Sequence, residues 1–223
     1  MDYKRIAEQT GPRVGATQEW IFQVLRNGII NGNLPGGTQL KQDEISSALN
    51  VSHIPVREAL RRLEAQGLVK IHPNRGASVT SLTQQSILDM MQVRATLAVM
   101  MLKNSAPHLT EKDYDELDEI IILQENETDL YKTEELNYRF HDVLNRHYEN
   151  DVAELFMDLI HANIDRYLRM NFYSHAEDRE RSLQEHKGIL EACRSGDYEA
   201  ACSLLRDHIL DAKDYIPEEL PTA

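Results

Sequence analysis

The sequence predicts a mainly α-helical protein, with an N-terminal winged helix-turn-helix and a C-terminal all-helical bundle of about six helices. Residues 17–80 read as helix, short helix, basic helix and hairpin, in that order. From Thr83 onward, every segment instead repeats its apolar residues at helical spacing. We therefore predict two domains, residues 12–80 and 83–216, which a chain of 223 residues is long enough to form.

The first two elements are predicted from apolar periodicity and from breaks in the chain. Thr17 to Asn31 has a helical repeat of apolar residues, with Thr17 as a plausible cap. Pro35-Gly36-Gly37 interrupts the chain, and a short helix from Gln42 to Asn50 follows. A short helix and a tight turn of this kind place the N-terminal side chains of the next helix in a DNA major groove.

The next helix is predicted to present a basic face. Ser52 can accept hydrogen bonds at the helix start, and Pro55 falls in the first turn, where no backbone N–H is needed. Arg57 and Arg61 are four residues apart and share one face. Another face is an apolar stripe, formed by Val56, Leu60 and Leu63.

A basic hairpin is predicted directly after this helix. Gly67 is suited to a left-handed helix end, and the β-prone runs Leu68–Ile71 and Ala77–Thr80 flank a turn sequence. That turn, Pro73-Asn74-Arg75-Gly76, has a basic tip. The predicted contacts to double-stranded DNA are Ser52, His53, Arg57, Arg61, Asn74, Arg75 and Gly76. The alternative is a small helical bundle whose arginines are incidental.

The net charge of −13 is unevenly distributed along the chain. Residues 1–80 hold 10 basic and 7 acidic residues, a net charge of +3, whereas residues 81–223 have a net charge of −16. The first part can approach phosphate, and the second is expected to stay away from the duplex.

The acidic part is predicted to be all helical. Thr110 with Asp113 forms a capping box, and Gly196 followed by Asp197 ends one helix and starts the next. Such bundles place ligand sites between facing helices. The predicted helices are about 83–105, 110–124, 132–149, 151–171, 177–195 and 197–215.

Four polar residues within apolar stripes form a candidate metal site. Asn137 and His141 are four residues apart on one predicted helix, and His186 and His208 fall on the apolar faces of two others. Three imidazoles and an amide oxygen suit a first-row divalent cation. Spacing alone favours the alternative, in which each histidine is a core residue that is satisfied by a neighbour.

Residues 17–80 resemble the winged helix-turn-helix of the GntR family of bacterial transcription regulators. The resemblance rests on Val51-Ser-His-Ile-Pro-Val-Arg-Glu-Ala-Leu60, on Leu63-Glu-Ala-Gln-Gly-Leu-Val69 and on Pro73-Asn-Arg-Gly76. His53 stands where the family usually has an arginine. Because a neutral imidazole cannot make a bidentate contact with guanine, the operator preference at this position is expected to differ.

Residues 83–215 resemble the FCD domain, the helical effector module of the FadR subgroup of this family. The matching segments are Asn137-Tyr-Arg-Phe-His141, Glu185-His186 and His208-Ile209. The resemblance implies that Asn137, His141, His186 and His208 bind a divalent metal, commonly zinc or nickel, beneath a pocket for a small carboxylate. Asn137 replaces the more usual aspartate, which implies weaker metal binding.

The resemblance also assigns Arg94 to the effector carboxylate, which its guanidinium can bind through a fork of donors. Ala98 takes the place of a glutamate that usually follows it. The alternative is that Arg94 pairs with an acid on another helix. His161 is a further candidate for the pocket, whereas His147 and His175 are expected at the surface, away from the metal.

The resemblance implies a homodimeric regulator, not an enzyme, that binds a palindromic operator. Family precedent suggests repression that an organic or sugar acid relieves. Two alternatives are a metal-dependent hydrolase and a DNA-binding protein with a purely structural bundle. Against the hydrolase, no motif of this sequence places a glutamate or aspartate as a general base. We expect a cytoplasmic location without a membrane anchor, because no apolar run approaches about 20 residues. We also expect Cys193 and Cys202 to be reduced thiols.

Overall fold

The fold was analysed in a computed structural model, which describes residues 1–73, 75–172, 176–216 and 220. The chain forms two compact units. The first comprises Met1–Ser86 with His161–Arg166, and the second comprises Ile87–Ile160 with the described residues from Tyr167 to Ile216. The mainly α-helical fold class and the small wing sheet are confirmed.

The first unit contains the predicted helix-turn-helix and wing. α4 buries Val56, Leu60 and Leu63 against the apolar side of α2, and this packing leaves the basic face of α4 exposed. The elements are α1 Tyr3–Thr10, α2 Thr17–Ile30, β1 Gln39–Leu40, α3 Gln42–Leu49, α4 His53–Ala65, β2 Val69–His72 and β3 Gly76–Val79.

Two elements of this unit were not predicted. The first is α1, whose Tyr3 and Ile6 are buried in the same core as α2. The second is β1, which pairs with β3 and extends the hairpin to a three-stranded sheet of order β1-β3-β2. Each is too short to produce a clear apolar period, so tertiary contacts determine both elements.

The helix starts differ slightly from the prediction. Ala16 occupies the cap of α2, and Thr17 is the first helical residue rather than the cap. Ser52 is the cap of α4, as predicted, although its side chain makes no capping hydrogen bond. Gly67 follows α4 with φ of +71°, a conformation that glycine adopts without steric cost.

The second unit contains the six predicted helices. Its core is a single apolar cluster centred on Phe140, Leu144, Ile120 and Ile189. The helices are α5 Gln84–Ser105, α6 Glu111–Asn126, α7 Leu130–Asn145, α8 Asp151–Phe172, α9 Ala176–Arg194 and α10 Tyr198–Asp211.

Local signals define the ends of two of these helices. Thr110 donates from its backbone N–H (2.7 Å) and its hydroxyl (2.6 Å) to Asp113 Oδ2, which caps α6 as predicted. Gly196 has φ of +77°, and the Asp197 carboxylate caps α10 by accepting from the Ala200 N–H. Cys193 and Cys202 are free thiols, as predicted. Among the described residues, no helix is sufficiently long and apolar to cross a membrane.

Candidate functional site

The exposed face of α4 carries the basic residues that the sequence assigns to DNA. Ser52, His53, Arg57 and Arg61 are all exposed, while the opposite face of the helix is buried. Arg57 Nε lies 3.6 Å from Glu58 Oε1, and Arg61 Nη1 lies 3.3 Å from the same oxygen. Solvent-exposed ion pairs of this kind are weak, so phosphate or a base edge can replace Glu58 as the partner.

His53 stands at the start of α4. Its Nδ1 lies 3.4 Å from Asp43 Oδ1 of α3, and both side chains are largely exposed. The imidazole therefore has an acidic neighbour at the start of the helix that the sequence assigns to DNA. This arrangement reduces the positive charge that the N-terminus of α4 presents to a duplex.

The wing presents Arg75, which is exposed at the hairpin turn. Gly76 begins β3 with φ of +80°, and a Cβ at this position would lie 2.9 Å from the Leu40 carbonyl oxygen. Glycine is therefore required here by the hairpin itself, whether or not its backbone also meets DNA. Asn74, the remaining predicted contact of the wing, lies outside the described residues.

Three histidines converge in the second unit. α7 contributes His141, α9 contributes His186 and α10 contributes His208. One ring nitrogen from each lies within 4.8 Å of the other two. The ring centroids are 5.4 Å apart for His141 and His186, 5.3 Å for His141 and His208, and 4.8 Å for His186 and His208.

Hydrogen bonds orient two of these imidazoles. His186 Nδ1–H donates to Gln124 Oε1 (3.1 Å), and His208 Nδ1–H donates to Glu185 Oε2 (2.7 Å). Each bond leaves Nε2 as the nitrogen with the lone pair, which is the arrangement found around protein-bound metals. His186 Nε2 is buried and has no hydrogen-bond partner among the described residues.

The environment of His186 favours the neutral imidazole. The side chain is 1% exposed, and its ring stacks on Phe140 with centroids 4.1 Å apart. Burial, together with the nearby His208, holds the pKa of His186 well below its ordinary value. A neutral imidazole is the form that coordinates a metal, so this pKa shift favours a ligand role.

Glu185 connects the histidine cluster to a surface ion-pair network. Burial raises the pKa of its carboxyl group, but hydrogen bonds from His208 and Arg181 lower this pKa by a larger amount. The pKa of Glu185 therefore lies below its ordinary value. Arg181 donates to Glu185 Oε1 (3.0 Å) and to Asp211 Oδ2 (2.8 Å), and thereby connects α9 to α10. The anionic Glu185 fixes the orientation of His208.

Asn137 and His186 line the same small cavity, which is open to solvent. His141 is one helical turn beyond Asn137 on α7. The residues fit a divalent first-row cation on two grounds, the imidazole-rich donor set and the unpartnered buried Nε2 of His186. Such a ligand set leaves coordination positions for water or a carboxylate.

The other sequence candidates are Arg94, His147, His161 and His175. Arg94 is half-buried in α5 and is not one of the described residues that line this cavity. His147 pairs with Asp113 Oδ2 (2.8 Å), and His161 belongs to the segment that groups with the first unit. His175 lies outside the described residues.

The sequence did not identify Gln124, the partner of His186, or Arg179, which lines the cavity. Gln124 is 62 residues from His186, and nothing in the local pattern of α6 indicates that its side chain faces α9. Glu185 was noted only as part of the Glu-His pair. Glu185 is adjacent to His186 in the sequence, so the sequence does not show that its carboxylate orients His208 instead.

Comparison with protein families places both units. Residues 17–79 match the family described as bacterial regulatory proteins, gntR family, and residues 89–211, more than half of the chain, match the FCD domain.

Individual relatives agree with this assignment. The uncharacterized HTH-type transcriptional regulator YdhC of Bacillus subtilis (strain 168) is 30% identical over 201 residues, which cover 85% of this chain and 84% of YdhC. The HTH-type transcriptional repressor RspR of Escherichia coli (strain K12) is 26% identical, with 95% and 93% covered. A crystal structure of a GntR family regulator from Pseudomonas syringae pv. tomato str. DC3000 is 29% identical, covers 96% of this chain and 92% of its own, and has a TM-score of 0.53.

The winged helix-turn-helix, the helical unit with its three converging histidines, and these matches together show that the chain belongs to the GntR family of bacterial transcription regulators and carries a C-terminal FCD domain.

Proposed function

We propose that this regulator is a repressor whose binding to a palindromic operator is controlled by a small carboxylate, held at a divalent metal site in the second unit. The observation that carries the proposal is the convergence of His141, His186 and His208, with the buried Nε2 of His186 left without a partner among the described residues. The repressor role is supported by RspR, which is itself named a transcriptional repressor.

In the proposed complex, α4 enters the major groove and the hairpin contacts the adjacent backbone. Ser52 and His53 lie at the helix start, and Arg57 and Arg61 lie along its exposed face. Arg75, with Asn74 and Gly76 of the same turn, contacts phosphate or sugar from the wing. The net charge of +3 on residues 1–80 supports this orientation toward DNA.

The proposed metal ligands are His141, His186, His208 and the amide oxygen of Asn137. A bound divalent ion, zinc or nickel, supplies open coordination positions for a carboxylate. The chain fixes its ligands through Gln124 and Glu185, which bind the Nδ1–H groups of His186 and His208. Effector control requires only that the ligand bind one dimer arrangement more tightly than another. Arg94 remains a candidate contact to the carboxylate.

We propose a homodimer, because a palindromic operator requires two copies of the winged unit. α8 supports this assembly, since Val152, Leu155 and Phe156 are exposed at positions i, i+3 and i+4. An apolar stripe of this kind is a suitable surface for a second copy of the chain.

Metal analysis of the full-length protein, purified without a histidine tag and loaded with zinc or nickel, tests the site. We expect about one ion per chain in wild type and a loss of most metal in His186→Ala, because removal of one of three imidazoles leaves an incomplete ligand set. His108→Ala is the matched control, because His108 is an exposed histidine of the same unit.

Equal metal content in wild type and His186→Ala, or none in either protein after loading, would contradict the metal site. A hydrolytic function for the site requires turnover of ester or amide substrates by the metal-loaded protein, which we do not expect.

A further inference from the structure

One apolar side chain is exposed at the start of the helix that is proposed to enter the major groove. Ile54 is the second residue of α4 and is 65% exposed. Among the described residues from 17 to 80, it is the only large aliphatic or aromatic side chain that is exposed, and the others are buried or half-buried. The exception to apolar burial in this region therefore falls on the helix that is assigned to DNA.

Ile54 lies on the same face of α4 as the two arginines that are assigned to DNA. Ile54, Arg57 and Arg61 occupy positions i, i+3 and i+7, which follow one another along one side of a helix, and all three are exposed. Val56 and Leu63 lie on the opposite side and are buried in the core of the first unit. The packing of α4 therefore turns Ile54 in the same direction as the arginines.

The first turn of α4 carries neither arginine nor lysine. His53 Nδ1 lies 3.4 Å from Asp43 Oδ1, and the first permanent cation is Arg57, three residues after Ile54. In a helix-turn-helix, the N-terminal residues of the second helix are the ones that contact base edges. Recognition by the first turn of α4 therefore depends on hydrogen bonds and apolar contact more than on side-chain charge.

An isoleucine side chain distinguishes one of the four bases in the major groove. It has no donor or acceptor, so it cannot pair with the polar atoms that adenine, guanine and cytosine present there. Thymine alone presents an apolar group, which is its C5-methyl. Contact with this methyl removes apolar surface of both partners from water, whereas cytosine at the same place would put its N4 amino group against an apolar side chain.

We propose that Ile54 contacts the C5-methyl group of a thymine in each half of the operator and thereby specifies thymine at that position. The inference rests on the proposed function, in which α4 enters the major groove, and it adds a specificity-determining residue to the DNA contacts. The role of Ile54 follows from its exposed apolar side chain, whereas the other contacts of α4 are polar or charged.

Uracil substitution in the operator tests this contact, because uracil keeps the pairing edge and the O4 acceptor of thymine and lacks only the methyl group. The operator is first selected from random-sequence duplex DNA with the full-length protein. Each thymine is then replaced by deoxyuridine at the symmetry-related positions of both half-sites. We expect one such replacement to weaken wild-type binding, measured by gel shift, by at least about 5-fold.

Variants of Ile54 show whether this residue makes the contact. Ile54→Ala should bind the thymine and uracil operators equally, within about 2-fold, because its side chain is too short to reach the methyl group. Ile54→Val keeps a shorter branched side chain and should show an intermediate uracil effect. Val14→Ala is the matched control and should keep the full effect, since Val14 is an exposed apolar residue of the first unit that lies outside α4. Thermal unfolding shows whether each variant retains its fold.

The proposal is overturned if no thymine of the selected operator shows the uracil effect, or if Ile54→Ala shows it as strongly as wild type does. A protein that selects an operator without this effect would retain the proposed DNA binding and lose only the role of Ile54. If no operator is selected at all, both proposals fail.

Discussion

Glu58 is the acid that pairs with two arginines on the exposed face of α4. Its carboxylate oxygen Oε1 lies 3.6 Å from Arg57 Nε and 3.3 Å from Arg61 Nη1. Arg62, on the same helix, instead pairs with Glu19 and stacks over the Phe22 ring at 4.1 Å. Arg57 and Arg61 thus face solvent, whereas Arg62 joins α4 to α2.

Replacing Arg57 by alanine tests the DNA-facing assignment. If Arg57 reads a base edge, operator binding should weaken by roughly 1–3 kcal/mol, and specificity should relax at one position. If Arg57 touches only phosphate, binding should weaken for all sequences alike. The slope of log affinity against log salt concentration should then decrease in magnitude by about one. A gel-shift titration at several salt concentrations measures both quantities.

Lys103→Ala is a suitable control, because Lys103 is an exposed cation of α5 that lies outside the first unit. Operator affinity that is the same for wild type and Arg57→Ala would contradict the placement of α4 against DNA.

At the scale of whole elements, Asp113 joins the start of α6 to the end of α7. The carboxylate is 3% exposed, accepts from Thr110 at the cap of its own helix, and pairs with Arg146 (3.0 Å) and His147 (2.8 Å). Burial raises the pKa of Asp113, but these hydrogen bonds outweigh burial and hold the pKa below its ordinary range. The ionised carboxylate therefore stabilises the junction of the two helices.

Asp113→Asn should lower the free energy of unfolding by about 1.5–3 kcal/mol at neutral pH, because it removes the charge from several hydrogen bonds. The folded-state pKa is depressed, so the contribution is complete above the unfolded carboxyl pKa of about 3.9 and is lost as pH falls below it. Urea unfolding should thus show a smaller difference between wild type and Asp113→Asn at about pH 3.

Asp118→Asn is the matched control, since Asp118 is an exposed acid of the same helix that pairs with Arg194. It should cost less than about 1 kcal/mol. The same loss of stability in both variants, or a difference that is independent of pH, would contradict the role of Asp113.

Elements with a long apolar period were predictable from the sequence, and elements determined by distant contacts were not. The stripe of Val56, Leu60 and Leu63 predicts α4, and similar stripes predict the six helices of the second unit. The two residues of β1 acquire their strand conformation only by pairing with β3.

The same distinction applies to the candidate site. The three histidines are predictable as site candidates because a polar residue within an apolar stripe of a helix is unusual. Whether the helices converge depends on tertiary packing, which spacing along one helix does not report. Gln124 was missed because its contact with His186 spans 62 residues.

Considered as a whole, the chain has two parts of opposite charge. Residues 1–80 carry a net charge of +3 and residues 81–223 carry −16, so DNA is expected to approach the first part. The second unit contains the three converging histidines and the exposed stripe of α8. The surfaces proposed for DNA binding, ligand binding and assembly thus consist of different residues.

The full-length chain should be a dimer by light scattering at micromolar concentration. Phe156→Glu should shift it toward monomer, because a charge on the α8 stripe must be desolvated when two copies meet. Ile122→Glu, which alters an exposed apolar residue of α6, is the control. A monomeric wild type, or a dimer that is insensitive to Phe156→Glu, would contradict this interface.

The most direct test of the regulatory mechanism is the operator affinity of the zinc-loaded protein, measured by gel shift with and without a small organic acid that calorimetry shows to bind. The operator is first selected from random-sequence duplex DNA, and it should have two-fold symmetry. We expect the acid to weaken operator binding by wild type at least about 5-fold, and we expect no such response from His186→Ala. Operator affinity that the acid does not alter, or that it alters equally in His186→Ala, would contradict the claim that the histidine site controls DNA binding.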